Sequence, residues 1–204
     1  MKVGVVSDLH NNVAALGYAL EHLSQCEVIL NLGDLVSDYS VNPAIIRLAR
    51  DAGLWSIAGN HEKAILLHPG STLRDRLAVE DLAYLRNLPP RRDVTFDGRS
   101  VVVAHGAPWD DPNQYRCQYV FANDTAALSR LSTIDADVIL LGHTHYSMSL
   151  RLGSLLVLNP GSCGEVRDQA IGLSFAELDF SDGVATTYQL RPGTTPEPVI
   201  RADF

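Results

Sequence analysis

Three short apolar runs mark the first third of the chain, at residues 3–7, 28–32 and 54–58, and each ends at a polar motif. Their length and apolar content read as buried strands. Between them the spacing turns helical. Asn11 or Asn12 can cap a helix that places Val13, Leu16, Leu20 and Leu23 on one face. Asn42-Pro43 supplies a cap and a first-turn proline for a helix to about residue 52. Strand–helix–strand–helix–strand predicts a parallel sheet.

Residues 60–89 read as helical, with Val79, Leu82, Leu85 and Leu88 in one stripe and Pro89-Pro90 as the stop. The pattern then shortens. Residues 94–96 and 100–104 flank Asp97-Gly98 and predict a hairpin. A polar, aromatic insert spans 108–119, a helix runs to about Leu131, and 138–141 is a short buried strand. Strands near 147–152, 155–158, 171–178 and 184–190 are expected to complete a second, more antiparallel sheet. Residues 192–204 hold three of the ten prolines and read as an irregular tail. The expectation is one α/β domain over 1–204, without internal repeats.

Composition narrows the setting. The chain is long enough for a sizeable core. A net charge of -8 disfavours non-specific attraction to nucleic acid or anionic lipid. No apolar stretch is long enough to span a bilayer, and the opening run is too short for a signal peptide. Cys26, Cys117 and Cys163 are scattered, with no spacing for a disulfide framework or a cysteine-rich zinc site. A reducing, cytoplasmic setting is expected.

Five of the seven histidines fall in motifs that follow apolar runs: Asp8-Leu9-His10, Gly59-Asn60-His61-Glu62, His105-Gly106 and Gly142-His143-Thr144-His145. Gly33-Asp34 adds a carboxylate in the same position. Asp8 and His10, two apart, can face the same side and hold one ion. Each motif has a plainer reading. Asp8 can cap a helix, Gly33-Asp34 can be an ordinary turn, and Asn60 can be a cap beside a surface histidine. A lone His105 can be structural. Five such motifs in this order favour a shared site of imidazoles, carboxylates and one amide oxygen, a mixture suited to borderline or hard divalent metals.

With these motifs the chain resembles the calcineurin-like metallophosphoesterases over residues 8–145. Asn159-Pro160-Gly161-Ser162, followed by Arg167-Asp168, resembles their small prokaryotic phosphodiesterase branch. The resemblance implies a four-layer αββα sandwich, two packed mixed sheets flanked by helices, with two metals at the strand ends. It implies Asp8, His10, Asp34 and His145 on one metal and Asp34, Asn60, His105 and His143 on the other. Asp34 then bridges, and His61 lies over the substrate without ligating. Residues 33–39 keep the aspartate but lack the Asp-Arg-Gly of the protein phosphatases, and no tyrosine matches the ligand of the purple acid phosphatases.

The reaction expected is hydrolysis of a phosphoester, a phosphodiester before a monoester, by in-line attack of hydroxide activated by two cations about 3.5–4 Å apart. Asp34 and His61 are the catalytic candidates. His61 either protonates the leaving oxygen or offsets phosphoryl charge, and the sequence leaves both roles open. Mn or Fe is preferred, with Ni or Zn as alternatives. Tyr115, Arg116 and Tyr119 in the insert, with Arg167, are candidates for the substrate rim; the insert is equally readable as a solvated loop. The expected partner is a small phosphoester, with no membrane or nucleic acid and with self-association left open. The other readings are a phosphomonoesterase for a small metabolite and a non-catalytic scaffold on the same fold, like the retromer subunit. The intact motifs argue against the scaffold.

Overall fold

A computed structural model describes residues 1–191 and 193–204. In β1 (Lys2–Val6), Val3 and Val5 point to one side while Val6 points to the other, and all are buried. Burial on both faces marks a strand inside a layered fold. β1 pairs in parallel with β2 (Val28–Asn31), and β2 with the short β3 (Trp55–Ser56). The crossovers are α1 (Val13–His22) and α2 (Pro43–Asp51). Asn12 caps α1 by accepting from the Ala15 N–H at 3.0 Å, and Asn42 caps α2 with Pro43 at its first turn.

β4 (Arg91–Phe96) and β5 (Arg99–Ala104) form the expected hairpin, with Asp97 and Gly98 both in the left-handed region. β5 then pairs in parallel with β6 (Val138–Leu140), and β6 with β8 (Leu155–Pro160). β7 (Ser147–Leu152) closes this sheet antiparallel to β8, and α5 (Thr125–Leu131) connects β5 to β6. With β9 at Ser174–Asp179, β10 at Val184–Gln189 and β11 at Glu197–Asp203, the sheets run β11-β10-β9-β1-β2-β3 and β4-β5-β6-β8-β7.

Three apolar clusters give the layers. Val3, Val5, Leu30, Val101, Val103, Leu140 and Leu156 fill the space between the sheets. Leu16, Ile45, Ile46, Ile65 and Phe175 pack helices on the first sheet, and Val102, Leu131, Ile139 and Val157 pack α5 on the second. The result is the αββα sandwich of two mixed sheets.

Three expectations are corrected. Residues 60–89 are not one helix. α3 (Asn60–Leu67) stops before Pro69-Gly70, a 3₁₀ turn covers Leu73–Arg76, and α4 (Val79–Arg86) starts afresh. Proline has no N–H for the helix and glycine pays the largest backbone entropy, so the ladder ends there. Val79 is 80% exposed and outside the apolar stripe, whereas Asp81 is buried against Arg47 at 3.0 Å and Arg50 at 3.6 Å.

β9 (Ser174–Asp179) and β10 (Val184–Gln189) belong to the first sheet, not the second: β9 pairs antiparallel with β1. The tail is not irregular either. β11 (Glu197–Asp203) pairs with β10, and Phe204 packs on Phe180 at 5.1 Å. Pro198 is tolerated because β11 is an edge strand. Pro192, the first residue of the expected tail, lies outside the described residues.

Candidate metal centre

Parallel strands that start together also end together, and their carboxyl ends collect the candidate residues. Asp8 and His10 follow β1, Asp34 follows β2, and Asn60 and His61 open α3 after β3. His105 follows β5, and His143 and His145 follow β6. Asp8, His10, Asp34, His143 and His145 have φ of 54°, 42°, 55°, 68° and 62°. Non-glycine residues visit this left-handed region rarely, and such strain concentrates at functional sites. The loops are stitched together by their backbones: Asp8 N–H donates to Gly33, His10 N–H to Asp34 and Gly142 N–H to His105, at 2.9–3.1 Å. A Cβ on Gly59 would collide with the Asp34 carboxylate, and one on Gly142 with the Ser7 hydroxyl, so both sites demand glycine.

The side chains form two groups joined by Asp34. In the first, Oδ1 of Asp8 lies 3.3 Å from Nε2 of His145 and 3.9 Å from Nε2 of His10, and those nitrogens are 3.1 Å apart. In the second, Nε2 of His105 lies 3.1 Å from Oδ2 of Asp34 and 3.0 Å from Oδ1 of Asn60, with His143 beside them. Oδ2 of Asp34 is also 4.0 Å from His10 and 3.7 Å from His61. His10, Asp34 and His61 therefore form a third convergent set, so His61 too is within ligating reach.

These residues fit divalent cations. Oδ1 of Asp8 is buried without a hydrogen-bond donor, while Oδ2 accepts from the Ser7 hydroxyl and from His143 N–H at 3.1 Å. An orphaned buried carboxylate oxygen facing two imidazole nitrogens is a cation ligand in waiting. The histidines are oriented from behind. Nδ1 of His105 faces the Leu32 carbonyl at 2.8 Å, Nδ1 of His145 that of Glu165 at 3.3 Å, and Nε2 of His143 that of Cys117 at 3.2 Å. An N–H donated to each carbonyl leaves the other ring nitrogen for a metal.

Burial opposes charge throughout, and the partners decide where it stays. Burial drives His143 down to about 4, helped by the charge on His105, and lowers His10. For His105 burial also acts downward, but the adjacent Asp34 carboxylate prevails and raises it well above the usual range. Burial would raise Asp34, yet His105, His61 and His10 hold it below the ordinary carboxylate range.

Two further residues shape the site, and the sequence reading gave neither a role. Asp38 places a carboxylate oxygen 2.7 Å from Nδ1 of His61. Glu62, fully buried, accepts main-chain N–H groups of Asp34 at 2.9 Å, Gly59 at 2.7 Å and Val36 at 3.0 Å. From the third position of α3 its side chain reaches back to the Gly59 N–H as the glutamate of a capping box does, but glycine at the cap supplies no side chain and so no sequence signature. No local signal marks Asp38. Asn159 and Ser162 are buttresses: Asn159 donates to the Gly142 carbonyl at 2.7 Å, and Ser162 to the Asp8 carbonyl at 2.8 Å.

A cleft of about 460 Å³ opens over the centre, and Tyr115, Arg116, Tyr119 and Arg167 all line it with Asp38, Asn60, His61 and His143. His22 is half-buried at the end of α1, 4.6 Å from the Tyr188 ring, and His68 is exposed just past α3. Neither belongs to the groups that converge at the centre. Cys163 is buried in the core against Ala15. Among the described residues no helix is long and apolar enough to cross a membrane.

Solved structures share this fold. A metallophosphoesterase from Sphaerobacter thermophilus is 23% identical, with a TM-score of 0.76 over 94% of this chain and 89% of that one. An archaeal phosphodiesterase is 21% identical, with a TM-score of 0.61 over 93% and 100%. Wild-type Vps29 from Entamoeba histolytica, complexed with Zn²⁺, is 19% identical, with a TM-score of 0.62 over 100% and 99%. A search of curated proteins finds no match. The profile of the calcineurin-like phosphoesterase superfamily domain matches residues 1–183, nearly the whole chain, and the protein belongs to that superfamily.

Proposed function

We propose that the protein is a phosphodiester hydrolase that works with two divalent cations. Asp8, His10, Asp34 and His145 would hold one, and Asp34, Asn60, His105 and His143 the other. The observation that carries this reading is Asp34, whose Oδ2 reaches toward His10 at 4.0 Å and His105 at 3.1 Å and so joins the two groups. The bound cations supply Lewis acidity at the phosphoryl oxygens and ease the deprotonation of water. The mix of imidazole and oxygen donors favours Mn or Fe over Mg, with Ni or Zn also compatible.

The chain itself binds, orients and moves a proton. Arg116 and Arg167 bring positive charge to the cleft wall and attract the phosphoryl group. The Asp38 main-chain N–H donates to Nδ1 of His61 at 3.0 Å, which leaves the ring proton on Nε2, the nitrogen that faces Asp34 and the reacting ester. From there Nε2 donates to the leaving oxygen or to a phosphoryl oxygen.

Two features favour a diester over a monoester. Residues 33–39 lack the arginine that serves the protein phosphatases, and an archaeal phosphodiesterase shares the fold. The substrate is a small molecule, since a chain of net charge -8 repels polyanions. Fold likeness alone does not separate enzyme from scaffold, because Vps29 is also similar. The complete ligand groups and His61 support the enzyme. The test is a nitrophenyl panel on metal-stripped protein with Mn, Fe, Ni, Zn or Mg restored. Diester turnover should exceed monoester turnover with the best metal. A strong monoester preference would move the protein to the phosphomonoesterase reading, and no turnover with any metal would leave the scaffold.

A further inference from the structure

We propose that a row of aromatic rings beside the metal centre is the subsite for one arm of the diester, and that this arm carries a flat aromatic group. The proposal rests on the catalytic reading above and narrows its substrate class. The Tyr119 ring lies on His143 at 4.0 Å and 10°. Phe121 follows at 5.8 Å and 18° from Tyr119, and Tyr146 meets Phe121 edge-on at 6.1 Å and 67°.

These rings are not core. Tyr119, Phe121 and Tyr146 are 45%, 39% and 46% exposed, a contiguous aromatic surface of the kind that marks binding sites. Between Phe121 and Tyr146 lies a hollow of about 250 Å³, lined also by the buried side chains of Val120 and Met148. Ala122 adds to this apolar lining, and Asn123, Thr144 and Ser147 supply a few polar groups beside it. A flat ring gains most on such a surface, because it stacks on the aromatic side chains and is removed from water.

Continuity with the centre identifies the occupant. Tyr119 lines the cleft together with Arg116 and Arg167 and also covers His143. A phosphoryl group over the metals, held by the arginines, directs one ester arm along Tyr119 to Phe121. Two ring-to-ring steps separate His143 from Phe121, a span suited to a ring carried on a sugar or short linker. The ring is a nucleobase or another aryl group; both present the same flat face.

The test is calorimetric binding of three monoester products to the Mn-loaded protein: adenosine monophosphate, naphthyl phosphate and ribose phosphate. Stacking on an aromatic side chain is worth about fivefold to a hundredfold in affinity. Both aromatic esters should bind at least about fivefold more tightly than ribose phosphate, and Phe121→Ala should bring that ratio close to one. Phe121→Leu, which keeps an apolar side chain but not the flat face, should also lower the ratio and guards against a folding defect. An advantage for adenosine monophosphate alone assigns the subsite to a nucleobase, and an advantage for both assigns it to aromatic rings in general. Equal binding of all three overturns the subsite while leaving the catalytic reading intact. Absence of binding by all three also overturns it, and diester turnover measured alongside tells whether the catalytic reading falls too. A dimer lost in Phe121→Ala with the ratio unchanged overturns it in favour of contact between copies of this chain.

Discussion

Asp38 backs His61: its carboxylate oxygen lies 2.7 Å from Nδ1, while Nε2 on the other side of the ring is 3.7 Å from Asp34. The ring thus has a supporting side and a working side. His61→Ala should lose about 10²–10⁴-fold in turnover and keep most of its metal. Asp38→Asn should lose about 10–100-fold, with metal content unchanged. If His61 is an acid, its removal should hurt a poor leaving group more than a nitrophenol; a purely electrostatic role would hurt both alike. Loss of metal from His61→Ala would make it a ligand and reject this assignment.

Asp34 and Asn60 differ in charge and in reach. The aspartate stands between both ligand groups, and the asparagine side chain meets His105 in one of them. Asp34→Asn should therefore retain less metal after dialysis than Asn60→Ala, by elemental analysis. Equal losses would argue against a bridging aspartate.

Glu62 clasps two ligand loops through three main-chain N–H groups. Glu62→Ala strands three buried donors, each worth about 1–3 kcal/mol. Urea unfolding of the metal-free protein should show a loss of at least about 3 kcal/mol. Glu62→Gln keeps one acceptor oxygen and should lose less. An unchanged midpoint for Glu62→Ala would mean that water or a rearranged loop replaces the carboxylate.

His105 holds a proton that a metal must displace. Burial pushes the ring toward its neutral form, but Asp34 raises it well above its usual range, so the metal-free protein carries His105 charged at neutral pH. Burial lowers His143 and His10, which are neutral there and have no proton to lose. Metal binding at pH 7 should release about one proton, measured by titration calorimetry in buffers of different ionisation enthalpy. Affinity should weaken as the pH falls, because protons compete at the same nitrogen. Zero net release would show that His105 is neutral before the metal arrives.

The candidate centre was largely legible because its signals are local. Each motif couples a residue type with the end of an apolar run, and strand ends are where the fold gathers side chains. Asp38 escaped because its partner His61 is 23 positions away and nothing in the intervening chain announces the meeting. The sheet assignment of β9 failed for a related reason. Its alternation shows a strand, but its pairing with β1 is decided by which layer needs an edge covered, across more than 170 residues. β11 was hidden by Pro198, whose cost vanishes at an edge. The break at Pro69-Gly70 was written in the sequence and yielded to the apolar spacing on either side.

The left-handed backbone at Asp8, His10, Asp34, His143 and His145 bears on how the ligand loops are held. Aspartate and histidine enter that region more readily than most residues, yet it remains a minority conformation for an isolated strand end. The main-chain bonds beside it come from neighbouring loops: Asp8 and His10 donate to the loop after β2, and the His143 N–H reaches Asp8 from the other sheet. The loops that carry the candidate ligands are therefore tied to one another by the protein's own main chain, across as well as within the sheets.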